Sequence, residues 1–392
     1  MKILLCPIGS RGFVYPMIGI AQRLRKRGHQ VAFATSAEFA GVIAEAGFER
    51  LPRGKTDGES FHLASWGHPI AIAIQVRHVQ HAIERFHPEI LLSSTLALGP
   101  LIAGELAGLP VAMLGLSTYL WPVDCSGSSP RTDPLAEWRH REMVELYNSA
   151  RGLFGLSARP SSPEGSPLLG DLYMLQTIPL LEPLTQQLPA RVRLVGSCLH
   201  EADAADTELL EWLKSDAEGR PLLYVQHGSV FRAGGSFWAR LVAAAEELGT
   251  RVAAAVERHR DPPPTFHDAN WLVRGHVPQG PVLRQAAGVV CSGNTTAVLG
   301  ALTHGLPLLL FPTGGEQPAL AGRCVAAGAA VALPASSPVA ELRAALERLV
   351  DAGDQREAAR RLQAAFAAYD GPGIAARALE QLAVTAVASG VA

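Results

Sequence analysis

Two α/β domains, each built on a doubly wound parallel sheet, are what this sequence predicts. Three observations lead there. Short continuous apolar runs recur along the chain and alternate with amphipathic segments of helical period, the pattern of parallel strands buried on both faces. The rhythm runs twice, with the polar, Ala-rich stretch HEADAADTE at 200–208 between the two series. The length of 392 residues suits two domains better than one.

The first series opens with KILLCPI, an apolar strand, followed by the Gly-rich turn GSRG. Residues 16–27 carry Met17, Ile20, Ala21 and Leu24 at helical spacing. The basic run RLRKR ends in Gly28, a helix C-cap with cations near the negative end of the helix dipole. QVAFAT is the next strand, and EILLSS, a helical segment at 98–106 and PVAMLGL continue the series. Residues 124–166 break the rhythm with SGSSPRTDP, a helical stretch at 135–150 and the loop ARPSSPEGSP, an insertion at the carboxyl end of the first sheet. YMLQTI and VRLVG follow as strands. The second series runs through PLLYVQHGS, RVAAAVE, NWLVRGHV, AGVVCSG, LPLLLFP and GAAVALP, and the chain from about 340 onward reads as helical.

Composition narrows the function classes. The 34 Lys and Arg nearly cancel the 36 Asp and Glu, for a formal net charge of −2. That argues against a general nucleic-acid binder and against capture by an anionic membrane. No apolar run is long enough for a transmembrane helix. The first apolar run breaks at Pro7 and Gly9, too early for a secretory leader. Five dispersed cysteines (Cys6, Cys125, Cys198, Cys291 and Cys324) form no CxxC pair and read as reduced, packed thiols of a cytoplasmic protein.

Residues 277–317 carry the chemistry: VPQGPVLRQAAGVVCSGNTTAVLGALTHGLPLLLFPTGGEQ. AGVVC is a short buried strand, SGNTT is a turn, and AVLGALTHG is the helix it opens. A small, polar, Gly-containing turn at a helix N-terminus presents free backbone N–H groups and positive potential, which suits a diphosphate. Gly305 and Pro307 end the helix, and 312–317 form a second turn whose Glu316 and Gln317 suit sugar hydroxyls. Standing alone, such a Gly-rich turn is more often just a tight turn. Cys291 reads as a packed thiol, since no activating partner is visible.

In this register the chain resembles the UDP-glycosyltransferase-like family, above all the actinomycete members that decorate natural products. The resemblance implies the GT-B fold, in which two Rossmann-like domains face a central cleft. It implies a domain over 1–200 that binds the acceptor and one over 207–375 that binds the nucleotide sugar. A terminal helix at 376–392 then packs back towards the first domain. It implies donor contacts from Ser229, His276, Val277, Gln279, Ser292, Gly293, Asn294, Thr295, Thr296, Glu316 and Gln317.

The same register exposes departures. Ser292 stands where the family has its diphosphate-binding His, and His276 where the base-stacking aromatic stands. Gly300 stands where many members carry a Glu for the ribose hydroxyls. Its loss is common among users of dTDP-sugars, so a dTDP-deoxysugar is favoured over a UDP-hexose.

The family's first turn carries a His or Asp that deprotonates the acceptor hydroxyl. Here GSRGFVYP puts Phe13 at that position, and Phe cannot accept a proton. Asp124 is the candidate base, with His62, His68 and Tyr15 behind it, and Phe13, Tyr15 and Leu120 are expected to line the acceptor pocket. An acceptor that is already acidic or activated would need little help.

The leading expectation is an inverting glycosyltransferase that moves a sugar from an NDP-sugar to a small natural-product acceptor, without cofactor or metal. The alternative is a catalytically degenerate homologue acting as a binding or helper subunit. A GT-B sugar-nucleotide epimerase is a third option, with no convincing acid–base set in the sequence. A homodimer is an assembly the sequence allows.

Overall fold

The structure is a computed structural model that describes residues 1–55, 57–119, 134–161, 166–183, 188–201, 206–215, 218–226, 236–256, 269–351 and 353–388. The chain divides into two compact units, Met1–His200 with Tyr369–Ala392, and Glu201–Ala368.

The first unit is built on β1 (Lys2–Cys6), β2 (Gln30–Phe33), β3 (Glu49–Arg50), β4 (Ile90–Ser94), β5 (Val111–Gly115), β6 (Leu172–Leu175) and β7 (Val192–Leu194). They form one seven-stranded sheet in the order β3-β2-β1-β4-β5-β6-β7, with every pairing parallel. Its helices are α1 (Arg11–Lys26), α2 (Ala40–Glu45), α3 (Pro69–Phe86), α4 (Gly99–Ala107) and α5 (Pro134–Gly152). Alternation along β1 explains why both faces are covered. Leu4 and Cys6 enter the cluster formed with α3, α4 and α5, while Ile3 and Leu5 enter the cluster formed with α1.

The second unit contains α6 (Thr207–Lys214), β8 (Leu222–Gln226), α7 (Ser236–Glu246), β9 (Arg251–Ala255), β10 (Trp271–Arg274), α8 (Gln279–Leu283) and β11 (Gly288–Cys291). It continues with α9 (Thr295–Thr303), β12 (Leu308–Leu310), α10 (Gln317–Ala326), β13 (Ala330–Ala332), α11 (Val339–Val350) and α12 (Asp354–Ala367). Six strands form an all-parallel sheet in the order β10-β9-β8-β11-β12-β13. The chain then enters α13 (Gly371–Ala388), which belongs to the first unit and packs on α1. The second unit ends at Ala368, and the terminal helix starts at Gly371.

One local expectation needs correcting. The first helix starts at Arg11, not at residue 16, so Phe13 and Tyr15 lie on helix rather than in a turn. Pro16 is inside α1, where it lacks an N–H for the helical ladder. The strong amphipathic face outweighs that loss, because Val14, Met17, Ile18, Ile20, Ala21 and Leu24 are all buried. Gly28 adopts φ 86°, the left-handed conformation that stops the helix.

Candidate functional site

Strand order reverses between β8 and β11 in the second sheet, because β8 sends its successor to one side and β11 sends its own to the other. A crevice opens beyond the carboxyl ends of strands at such a point, and ligands of open α/β sheets bind there. Gln226 ends β8 and Cys291 ends β11, and the two are register partners.

The turn after β11 is shaped by its small residues. Gly293 holds φ 82°, and a Cβ there would lie 3.2 Å from the Gln317 carbonyl oxygen. Glycine is needed on both counts. Asn294 caps α9: its side chain accepts from the Ala297 N–H at 3.1 Å. Its Nδ2 donates to Gln226 Oε1 at 2.7 Å and lies 3.4 Å from Ser292 Oγ. Asn294 therefore bridges the two strands at the reversal.

Thr295 and Thr296 occupy the first two helical positions, where N–H groups have no helical acceptor. No acidic residue lies in that first turn. The Thr295 hydroxyl is buried and has no hydrogen-bond partner among the described residues, an expensive arrangement unless a ligand satisfies it. Free N–H groups, helix potential and an unpaired hydroxyl together suit an anion.

Ser292 is completely buried, with its Oγ beside the Asn294 amide. Burial pushes the Cys291 thiol up to about 12, which leaves it unreactive. Gln317, at the start of α10, is also buried. Its Oε1 accepts from the Thr313 N–H at 3.0 Å and the Thr313 hydroxyl at 3.1 Å, so its carbonyl oxygen folds the 313–317 turn. Glu316 immediately precedes α10 and is partly exposed. Against Gly293, this turn lies beside the α9 N-terminus, as two turns sharing one site require.

His276 and Val277 follow β10, His276 exposed and Val277 buried. Gln279 opens α8 beside α9, its amide lying where a Cβ on Gly300 would stand, only 2.7 Å from Nε2. Two residues that sequence reasoning missed complete this corner. Glu201 accepts from Gln279 Nε2 at 3.2 Å and pairs with His304 Nε2 at 2.9 Å. Gln226 was likewise missed. No linear pattern announces these contacts, whose partners are 68 to 103 residues apart in sequence.

In the first unit the equivalent strand reversal lies between β1 and β4. The Ile8 N–H donates to Ser94 Oγ at 2.9 Å across it. Phe13 packs, half-buried, on the cluster that also holds Leu63 and Trp66. Tyr15 packs on the cluster of the other sheet face, with its ring edge-on to His200 at 6.3 Å. His62 pairs its backbone with Gly9 beside the first turn, held there by buried Phe61 at φ 60°. His68 caps α3, its Nδ1 accepting from the Ile70 N–H at 3.2 Å. Asp124, Leu120 and Ser229 lie outside the described residues. Among the described residues, no cluster of three or more His, Cys, Asp or Glu is arranged for a metal, and no helix is long and apolar enough to cross a membrane.

Two all-parallel α/β units with an anion-suited helix N-terminus at the reversal of the second sheet define a GT-B protein, and known proteins agree. A solved glycosyltransferase of kitacinnamycin superposes with a TM-score of 0.77 at 21% identity, covering 97% of this chain and 98% of its own. The spinosyn rhamnosyltransferase SpnG complexed with thymidine diphosphate gives 0.70 at 22% identity, covering 97% and 100%. In sequence, 4'-demethylrebeccamycin synthase of Lentzea aerocolonigenes is 25% identical over 94% of this chain and 96% of its own length. Residues 3–113 match the glycosyltransferase family 28 N-terminal domain, and 240–382 match the erythromycin biosynthesis protein CIII-like C-terminal domain. The chain is a glycosyltransferase that carries these two domains, and along nearly its whole length it is similar to glycosyltransferases of natural-product biosynthesis.

Proposed function

We propose that the chain transfers a sugar, with inversion, from a nucleoside diphosphate sugar to a small natural-product acceptor, and that it takes a dTDP-deoxysugar in preference to a UDP-hexose. The buried Thr295 hydroxyl at the α9 N-terminus, without a partner among the described residues, carries this reading. With the N–H groups of Thr295 and Thr296 it offers donors to a leaving diphosphate, whose growing charge the helix end stabilises. Ser229 is proposed to add a further donor. Gln279, with His276 and Val277, takes the nucleoside, and Glu316 with the Gln317 turn faces the sugar. The absence of a carboxylate at Gly300 favours the deoxynucleotide, and the SpnG complex with thymidine diphosphate on the same fold supports it.

Because Phe13 cannot accept a proton, Asp124 is proposed as the base that receives the acceptor's proton as the acceptor attacks the anomeric carbon. The enzyme is proposed to work in the cytoplasm. Thermal shift with dTDP and UDP tests the donor site: stabilisation by dTDP, larger than by UDP, is expected, and no shift with either overturns the reading. Nucleotide release in the presence of phenolic, amine and macrolide acceptors tests turnover. If Asp124→Asn leaves turnover unchanged, the base lies elsewhere.

A further inference from the structure

Glu201 is the first residue of the second unit, far in sequence from the donor turn, yet its carboxylate closes on that turn's neighbours. Oε1 accepts from Gln279 Nε2 at 3.2 Å, and Oε2 accepts from His304 Nε2 at 2.9 Å. A carboxylate only accepts, so the Gln279 amide must turn its NH2 group to Glu201 and its carbonyl oxygen away. The amide's orientation is set by chemistry rather than left free.

Two glycines make the arrangement fit. A Cβ on Gly300 would come within 2.7 Å of Gln279 Nε2, and one on Gly280 would come within 3.2 Å of both Glu201 Cβ and Oε2. Glu201 and His304 are only 20% and 21% exposed, so the pair is largely shielded, which strengthens its hold on the amide. Gly300 lies five residues beyond Thr295 on α9, roughly 7–8 Å along the axis at 1.5 Å per residue. That is about the distance from a diphosphate at the helix N-terminus to the pentose attached to it.

We infer that Glu201 is a positioning residue of the donor site, holding the Gln279 amide so that its carbonyl oxygen accepts the 3'-hydroxyl of the donor's pentose. The inference rests on the nucleoside diphosphate reading above. Glu201→Gln replaces two acceptor oxygens by one oxygen and one NH2, which can meet the Gln279 amide in either orientation, so the amide is no longer fixed. Gly300→Ala reaches the same amide without touching Glu201, and alanine is favoured over glycine inside a helix, so folding is preserved.

The experiment is calorimetric binding of dTDP and of its 3'-deoxy analogue to wild type, Glu201→Gln and Gly300→Ala. Wild type is expected to bind the analogue about tenfold more weakly than dTDP, the cost of one lost hydrogen bond to a fixed acceptor. Both variants are expected to bind dTDP about tenfold more weakly than wild type and to discriminate little between the two ligands. Retention of the wild-type discrimination by both variants overturns the inference and leaves Glu201 a purely structural ion-pair partner. If wild type binds neither ligand, the donor reading itself falls. Should Glu201→Gln fail to fold, Gly300→Ala decides alone.

Discussion

Asn294 Nδ2 donates to Gln226 Oε1 at 2.7 Å, joining the ends of β8 and β11 where the strand order of the second sheet reverses. The same side chain accepts from the Ala297 N–H, so one residue both caps α9 and ties two strands. The N-terminus of α9 is thereby fixed against the sheet. Asn294→Asp keeps the cap acceptor but loses the donor to Gln226 and adds negative charge at the anion site. Its Tm is expected to stay within a few degrees of wild type, while its affinity for dTDP falls at least about tenfold. Isothermal calorimetry alongside a thermal melt checks both halves.

Thr295→Val removes a buried hydroxyl while keeping the side chain's shape. Because that hydroxyl has no partner among the described residues, the unliganded protein is expected to be as stable as wild type or more so. Binding of dTDP is expected to weaken by roughly five- to tenfold, about 1 kcal/mol. Unchanged nucleotide affinity would remove Thr295 from the site.

His78 is buried in the first unit, where its Nε2–H donates to the Leu51 carbonyl at 2.9 Å and its Nδ1 accepts from the Ser60 hydroxyl. Burial, the main cause, lowers its pKa from 6.5 to about 4, so the folded protein holds it neutral. The unfolded chain takes up a proton first as pH falls. The stabilisation is complete above pH 6.5 and disappears between there and about pH 4, a loss of roughly 3 kcal/mol. Urea melts at pH 7.5 and 4.5 should show this slope, and His78→Gln should flatten it.

Glu380 on α13 receives Arg27 Nε at 2.8 Å, Arg27 Nη2 at 2.7 Å and His29 Nε2 at 2.7 Å. Hydrogen bonds from Arg27, then from His29, hold its carboxyl down at about 2. The stabilisation is present above the ordinary carboxyl value of 4.5 and is lost as pH falls through about 2. Glu380→Gln is expected to lower the first unit's Tm by roughly 2–4 °C at pH 7 and to shallow its acid limb, the modest size reflecting solvent screening. Thermal melts from pH 7 to 2 measure both.

Much of the fold was legible because parallel strands buried on both faces must be apolar throughout. KILLC, GVVC and LLL could be read locally as strands. The start of α1 was less legible: Pro16 reads as a helix beginning, yet apolar packing carries the helix back to Arg11. The anion turn was visible too, since SGNTT between strand and helix is a local pattern and Gly293 has a local reason to be glycine. The roles within it were less visible. Ser292 occupies a position the register marks as a ligand contact, and only the structure shows that its side chain is buried beside Asn294.

The sequence by itself determined two series of strands and helices, the GT-B resemblance, the turn that opens α9 and the absence of an imidazole at Phe13. Each follows from residues near one another in the chain. Only the tertiary structure decided that Gln226 holds Asn294, and that Glu201 reaches Gln279 and His304. Those contacts depend on where the backbone returns after tens of residues, and a hydrogen bond's few-ångström reach leaves no trace of such a meeting in linear spacing.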